Sequence, residues 1–97
     1  MSIGLLSVLD LDTFEVTNQV AEVSTDPALR VFDGIVYVVN RFLADNVQVI
    51  DPELGFATTA QFSTENGSNP QDAVVIDGRA FVTRFEPDFS DVLVLDL

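Results

Sequence analysis

A short motif recurs three times along this 97-residue chain at nearly constant spacing. Each copy is a β-rich run that stops at an aspartate, and the three aspartates are Asp10, Asp51 and Asp96. They lie 41 and 45 residues apart. Because self-similarity at a fixed period marks repeat architectures, we interpret the chain as successive copies of one β-rich unit.

Two further landmarks keep the same period. Asp33-Gly34 returns as Asp77-Gly78, with the glycines 44 residues apart, and Asp26-Pro27 returns as Asn69-Pro70, 43 residues later. An Asp-Gly pair between apolar runs is typical of a two-residue hairpin turn, in which Gly34 and Gly78 would supply the positive φ. A unit of about 40–50 residues with four short strands is typical of a β-propeller blade.

The spacing of apolar residues predicts strands and gives little support for helices. Apolar residues alternate with polar ones or form short runs, bounded by Asp, Gly, Pro, Asn and Ser. The nine predicted strands are residues 5–9, 15–23, 29–32, 35–40, 47–50, 58–62, 73–76, 80–84 and 92–95. The sequence therefore predicts an all-β fold built from four-stranded antiparallel blades.

The charge of the chain limits its partners. The net charge is -12, from 16 acidic residues against four basic ones. Such a chain repels phosphate backbones and anionic membranes, so we expect neither nucleic acid nor a membrane as a partner. The hydrophobic fraction of 47% is enough for a packed core and is not typical of a disordered chain.

The residue types that are missing exclude most catalytic chemistry. The chain has no His and no Cys, and all four basic residues are Arg, so the common general bases, thiol nucleophiles and Schiff-base amines are absent. Two carboxylate pairs remain, Asp10 with Asp12 and Asp88 with Asp91. Asp in such turns usually accepts a hydrogen bond from its own backbone. We therefore predict no catalytic residue.

Oxygen-rich stretches leave calcium as the one open cofactor. They are Asp45-Asn46, Asp88, Asp91 and the loop at residues 65–69. None has the spacing of an EF-hand loop, so we predict no metal site and no cofactor, with calcium as the alternative.

The strand that follows each Asp-Gly turn carries a family resemblance. Tyr37-Val38-Val39-Asn40, with its echo Phe81-Val82-Thr83-Arg84, resembles the repeat of the seven-bladed YVTN-type β-propellers of bacterial surface-layer and secreted proteins. Each copy follows a Pro and an Asp-Gly, and each precedes Val-x-Val-Ile-Asp-Pro or its equivalent. The second copy lacks the Asn. The resemblance implies a secreted or cell-surface parent, although residues 1–6 show no signal peptide and the compartment stays unknown.

The blade order of that family, with strand A innermost and strand D outermost, assigns a phase to the chain. Residues 5–10 would be strand C and residues 14–23 strand D of a first, partial blade. Residues 28–63 would form a full blade, and residues 72–96 strands A to C of a third. The chain is then a single unit with three divisions, at residues 1–25, 26–66 and 67–97.

A unit of two blades and a quarter leaves apolar sheet faces in water, which favours association. We expect a closed homo-oligomer with blades completed between copies: six blades from a trimer or eight from a tetramer. One strand C, at residues 5–10 or 92–96, would be redundant, and we expect the N-terminal one to be displaced. The structural alternatives are a nine-stranded sandwich within one chain and a domain-swapped dimer.

Several side chains receive structural roles. Tyr37 and Phe81 are predicted core residues, and Asn40 is expected to make a turn hydrogen bond. Arg41-Phe42 and Arg84-Phe85 either line a channel that attracts an anion or pair with nearby acids. The phenylalanines predicted to pack between blades are Phe14, Phe32, Phe56, Phe62, Phe81 and Phe89.

These observations favour a non-catalytic structural or binding module that assembles into a ring. The alternative is a fragment of a carbohydrate-acting or lactone-acting propeller enzyme. A third interpretation is an excised or engineered fragment in which native function is moot.

Overall fold

A computed structural model describes residues 3–97 of the chain. All nine predicted strands are present, and the two largest boundary differences lie at Pro27 and Pro70, where strands begin two and three residues earlier than predicted. Two short 3-10 turns, Pro52–Leu54 and Pro87–Phe89, interrupt loops, and residues 3–97 form no α-helix. The strands are β1 Gly4–Leu9, β2 Val16–Val23, β3 Pro27–Phe32, β4 Ile35–Asn40, β5 Asn46–Asp51, β6 Ala57–Ser63, β7 Pro70–Ile76, β8 Arg79–Arg84 and β9 Val92–Asp96.

The strands form three separate antiparallel sheets in chain order. The N-terminal sheet is β1–β2, the central sheet is β3–β4–β5–β6 and the C-terminal sheet is β7–β8–β9. The predicted all-β class with antiparallel sheets is confirmed. Because three sheets are present, with the central one packed on both faces, the described chain is not a two-layer sandwich.

Two apolar clusters hold the sheets together. Between the central and C-terminal sheets, Val39 and Val47 are buried with Ala80 and Val82. Between the central and N-terminal sheets, three buried residues of the central sheet pack with partly buried ones of β1 and β2. These are Val36, Val38 and Ile50 with Leu6, Ala21 and Val23. Strand alternation explains the division, since successive residues of β4 point to opposite faces.

The two Asp-Gly turns have the backbone that hairpins of two residues require. Asp33 and Gly34 have φ of 50° and 76°, and Asp77 and Gly78 have φ of 50° and 74°. Positive φ at both central residues matches the right-handed twist of the flanking strands, and Gly adopts it without a Cβ penalty.

The sequence repeat is also a repeat of strand register. In the central sheet Tyr37 lies opposite Arg30 on one side and Val49 on the other. In the C-terminal sheet Phe81 lies opposite Val74 and Val94. These rows are related by the same shift of 44 or 45 residues that relates the sequence motifs, so Tyr37 and Phe81 occupy equivalent positions.

The described residues contain no helix that is both long and apolar enough to cross a bilayer. Residues 1 and 2, which belong to the predicted division 1–25 and to the start scanned for a signal peptide, lie outside the described residues.

Candidate assembly surfaces

One face of the central sheet is covered by the next sheet along the chain. Tyr37 is 8% exposed and packs in the cluster that contains Ala73, Ala80 and Val82 of the C-terminal sheet. Burial raises the pKa of the Tyr37 hydroxyl, and nearby Asp33 raises it further. Tyr37 therefore occupies the predicted core position.

The equivalent face of the C-terminal sheet has no covering sheet within residues 3–97. Phe81 is 38% exposed, and its row neighbours Val74 and Val94 are about half exposed. We name this surface the C-terminal outer face; it comprises Val74, Ile76, Phe81, Val92 and Val94. The prediction that Phe81 is a core residue is wrong for the chain on its own, because no sheet follows it as the C-terminal sheet follows Tyr37.

A second uncovered apolar surface lies on the other side of the central sheet. Leu29 and Val31 of β3 are 43% and 57% exposed. Their equivalents in β7, Ala73 and Val75, are buried and partly buried against the central sheet. The N-terminal sheet has only two strands, and residues of those strands pack with β4 and β5 rather than with β3.

The N-terminal sheet also exposes apolar side chains on its far side. Leu5, Leu9 and Val16 are all about half exposed, whereas Leu6 and Ala21 point inward to the cluster at the central sheet. The described chain thus exposes apolar surface at both ends of the row of sheets.

Polar side chains hold the links between sheets. The Asn40 carboxamide oxygen accepts a hydrogen bond from the Ser24 backbone N–H at 2.9 Å. Its Nδ2 donates to Asn46 Oδ1 at 2.8 Å and Gln48 Oε1 at 3.1 Å. Asn40 is 3% exposed, so this network is buried. The predicted turn bond is therefore only part of its role, because Asn40 also holds the segment that enters from the N-terminal sheet.

Asp45 holds the segment that connects the central sheet to the C-terminal sheet, a structural role that the sequence did not indicate. Its carboxylate accepts hydrogen bonds from the backbone N–H groups of Gly67 at 2.8 Å and Asn69 at 2.9 Å. Asp45 is 5% exposed, and its own carbonyl accepts from the Thr64 N–H at 3.0 Å. The acidic residue and the oxygen-rich loop, which suggested calcium, are thus bonded to each other.

Arg84 occupies the position equivalent to Asn40 and holds the same loop from the other side. Its guanidinium, whose side chain is 8% exposed, donates to both Asp91 oxygens, at 2.7 and 2.5 Å, and to the Thr64 carbonyl at 3.3 Å. It also lies over the Phe89 ring, 4.9 Å from the centroid. The hydrogen bond with Arg84 lowers the pKa of the Asp91 carboxyl and raises that of the guanidinium.

The remaining arginines pair with acids of the chain itself. Arg41 contacts Asp26 at 2.5 Å, Arg30 contacts Asp72 at 2.9 Å and Arg79 contacts Asp96 at 3.3 Å. Pairing of Arg41 and Arg84 with acids is the structural role that the sequence left as one of two alternatives.

The repeated aspartates are engaged differently from one another. Asp10 Oδ1 accepts from the backbone N–H groups of Asp12 and Thr13, and Asp51 Oδ1 accepts from that of Glu53. Asp96 instead pairs with Arg79. Asp10 and Asp51 thus close the loops after their strands, in the way expected of turn aspartates.

The carboxylates suggested for catalysis or calcium are not gathered into one site. Asp10 is bonded to its own loop and Asp91 to Arg84, at opposite ends of the chain. Across the part of the chain that the structure describes, no group of three or more His, Cys, Asp or Glu side chains is arranged to hold a metal ion.

The phenylalanines divide into packed and exposed groups. Phe32 and Phe56 pack against the clusters between sheets, as predicted. Phe14 is 74% exposed in the loop after β1, so its predicted packing role is wrong for the isolated chain. Phe89 lies beneath Arg84 rather than between sheets.

An open cleft of about 410 Å³ lies beside the two Asp-Gly turns. Its lining includes Phe32, Tyr37, Val75 and Leu97, together with Asp33 and Asp77. The two aspartates favour cations over anions, but the lining brings no larger set of polar groups together. The apolar faces are therefore the more informative surfaces. No family model, curated protein or solved structure matches this chain.

Proposed function

We propose that this chain is a non-catalytic structural or binding module, a section of a YVTN-type β-propeller that closes into a ring with further copies of itself. The central sheet is then a full blade, and the other two sheets are parts of blades that copies complete together. A trimer would hold six blades and a tetramer eight. The ring would act as a scaffold for its ligand and not as an enzyme.

The observation that carries this proposal is the contrast between two equivalent positions. Tyr37 and Phe81 lie in equivalent rows of adjacent sheets, and only Tyr37 is covered by another sheet. A neighbour of the same kind fits the C-terminal outer face, because the central sheet already packs this way on its successor. The repeat thus supports a second copy of this chain as the partner.

The exposed surface at the other end of the chain supports the same partner. Leu29 and Val31 are apolar, exposed and located where a sheet of the same kind would cover them. Where the central sheet packs on the C-terminal sheet, its residues that are equivalent to the C-terminal outer face lie in one cluster with Ala73 and Val75. Ala73 and Val75 are in turn the equivalents of Leu29 and Val31. One end of a copy would therefore cover the opposite end of the next copy, which is the head-to-tail pattern that closes rings.

The driving force for assembly would come from burial of the exposed apolar faces. Apolar area removed from water contributes about 25 cal/mol per Å², so a face of several hundred Å² contributes several kcal/mol. The net charge of -12 opposes association between copies, and salt screens that repulsion. We therefore expect assembly to strengthen as ionic strength rises.

Light scattering coupled to size exclusion, with native mass spectrometry, tests the proposal. The unchanged chain should give a closed trimer or tetramer, and Phe81→Glu should give a monomer, because a charge would be buried in the contact. Leu54→Glu is the matched control: Leu54 is 62% exposed and lies in the 3-10 turn between β5 and β6, and it belongs to neither apolar face. A monomeric unchanged chain at high micromolar concentration, or equal effects of both variants, would contradict the proposal.

A further inference from the structure

We infer that strand β1 occupies, within one chain, the place that strand β9 of a neighbouring copy takes in the ring. This inference rests on the proposed ring. Ser7-Val8-Leu9-Asp10 of β1 corresponds to Leu93-Val94-Leu95-Asp96 of β9 in the repeat, so both are the third strand of their sheets. A four-stranded unit has one such position, and each copy brings two candidates for it.

The strand edges are placed for this exchange. Over the described residues, β2 is bonded to β1 in a sheet of two strands. Over residues 3–97, β9 pairs with β8 alone, so its second edge carries free backbone donors and acceptors. β5 bears the same relation to β6 in the complete central sheet. The occupant that fits the free edge of β9 is therefore β2 of another copy.

The exchange keeps apolar side chains at the positions that face the central sheet. Leu6 packs against the central sheet and Val8 is partly buried beside it. The repeat places Val92 and Val94 at these positions, and both are about half exposed in the isolated chain. Replacing β1 by β9 of a neighbour would therefore bury two exposed valines against the same central sheet.

The opposite exchange, in which β1 replaces β9, fits less well. Leu93 and Leu95 pack in the cluster between the central and C-terminal sheets. Their equivalents in β1 are Ser7 and Leu9. That exchange would put the small Ser7 side chain, whose hydroxyl accepts one long bond of 3.4 Å from the Gln19 N–H, where Leu93 now fills an apolar cluster, and the lost apolar contact is unfavourable.

The start of β9 is also anchored more firmly than the end of β1. Asp91, which precedes β9, is bonded through both carboxylate oxygens to Arg84. The loop that follows β1 is exposed and held by hydrogen bonds within residues 10–15. β1 is thus the strand that leaves, and it acts as an intramolecular competitor that must release β2 before the ring can close.

Two engineered disulfides in the full chain test this inference. The chain has no native Cys, so no competing disulfide can form within it. The pair L9C/V16C joins β1 to β2 at directly opposite, exposed positions. Because the adjacent Asp10 N–H donates to the Glu15 carbonyl, Leu9 and Val16 form the closely spaced, non-hydrogen-bonded kind of pair that accepts a disulfide. The matched control R79C/D96C joins β8 to β9 at a pair of the same kind, next to the bond from the Leu97 N–H to the Gly78 carbonyl and outside the residues of the C-terminal outer face.

Sedimentation of oxidised and reduced forms gives distinct outcomes. We expect the oxidised L9C/V16C form to need at least a tenfold higher concentration to assemble than its reduced form, and R79C/D96C to assemble equally well in both forms. The reverse pattern would mean that β9 is the displaced strand, and equal assembly of all forms would mean that no strand is exchanged; either overturns the inference. Failure of the unchanged chain to assemble would instead overturn the proposed ring.

Discussion

The central and C-terminal sheets have matching strands in matching register, yet they bury different residues. Tyr37 and Phe81 hold the same place between equivalent neighbours, and their exposures are 8% and 38%. The difference lies outside both sheets, because only the central sheet has a successor packed on it. Position in the stack, rather than local sequence, thus decides which aromatic is a core residue.

On the opposite faces of the same two sheets the exposure is reversed: the C-terminal sheet is covered there and the central sheet exposes apolar residues. Ala73 and Val75 of the C-terminal sheet are buried and partly buried, whereas Leu29, which is larger than its equivalent Ala73, and Val31 of the central sheet are exposed. Leu at a half-exposed site and Ala at a buried one is contrary to what residue size alone suggests. This arrangement becomes reasonable if a partner copy covers β3.

The links between sheets use different chemistry for the same purpose. Asn40 holds the Ser24 segment through a neutral carboxamide, whereas Arg84, at the equivalent position, holds the Thr64 segment through a guanidinium paired with Asp91. The second link also has the Asp45 carboxylate, at a place where the first has Gly4. A Cβ at Gly4 would lie 2.2 Å from the Ser24 carbonyl oxygen, so no side chain is accommodated there.

The largest expected effect comes from truncating the two equivalent aromatics. Tyr37→Ala should lower the free energy of unfolding by about 3–5 kcal/mol, because a buried aromatic leaves a cavity. Phe81→Ala should cost less than about 1 kcal/mol in the dilute monomer, because its side chain is already partly hydrated. Urea unfolding at low protein concentration measures both values. Equal losses would mean that the two positions are equally packed in the isolated chain.

A smaller loss of unfolding free energy is expected when Asp45, which connects the central and C-terminal sheets, is replaced. Asp45→Ala leaves two backbone N–H groups without acceptors and should cost about 2–4 kcal/mol, whereas Asp45→Asn retains one acceptor and tolerates the positive φ of 53°, so it should cost about half as much. Hydrogen exchange at Gly67 and Asn69 should rise in both variants. Unchanged exchange at those two amides would contradict the role assigned to Asp45.

The smallest effect is a dependence of stability on pH. Hydrogen bonds with Arg84 and Arg30 lower the pKa values of Asp91 and Asp72. A carboxyl whose pKa is lower in the folded state stabilises that state fully above its usual pKa, near 4, and loses the contribution as pH falls through the lowered value. The unfolding free energy should therefore fall below about pH 4, and less steeply in Asp91→Asn than in the unchanged chain. Parallel curves for the two proteins would show that this pair contributes nothing. Asp96→Asn is the control, because Asp96 forms a longer, more exposed pair with Arg79.

Much of the secondary structure was predictable because strand and turn signals are local. Runs such as Ile35–Asn40 have the residues that pleated strands favour, and Asp-Gly at 33–34 and 77–78 specifies tight hairpins. The role of Asp45 and the bond from Arg84 to the Thr64 carbonyl were not predictable, because these partners lie about 20 residues away in a loop of irregular backbone, whereas the pairing of Arg84 with an acid was one of two predicted alternatives. The equivalence of Arg84 with Asn40 was the signal that pointed to a shared task.

The sequence by itself determined the period, the nine strands and their grouping into all-β units, since these follow from hydrophobic alternation and turn chemistry within a few residues. Only the tertiary structure decided which face of each strand is buried, because alternation places apolar residues on both faces and a neighbouring sheet must remove one of them from water. Tyr37 and Phe81 are the example: the same repeat position is core in one sheet and surface in the next.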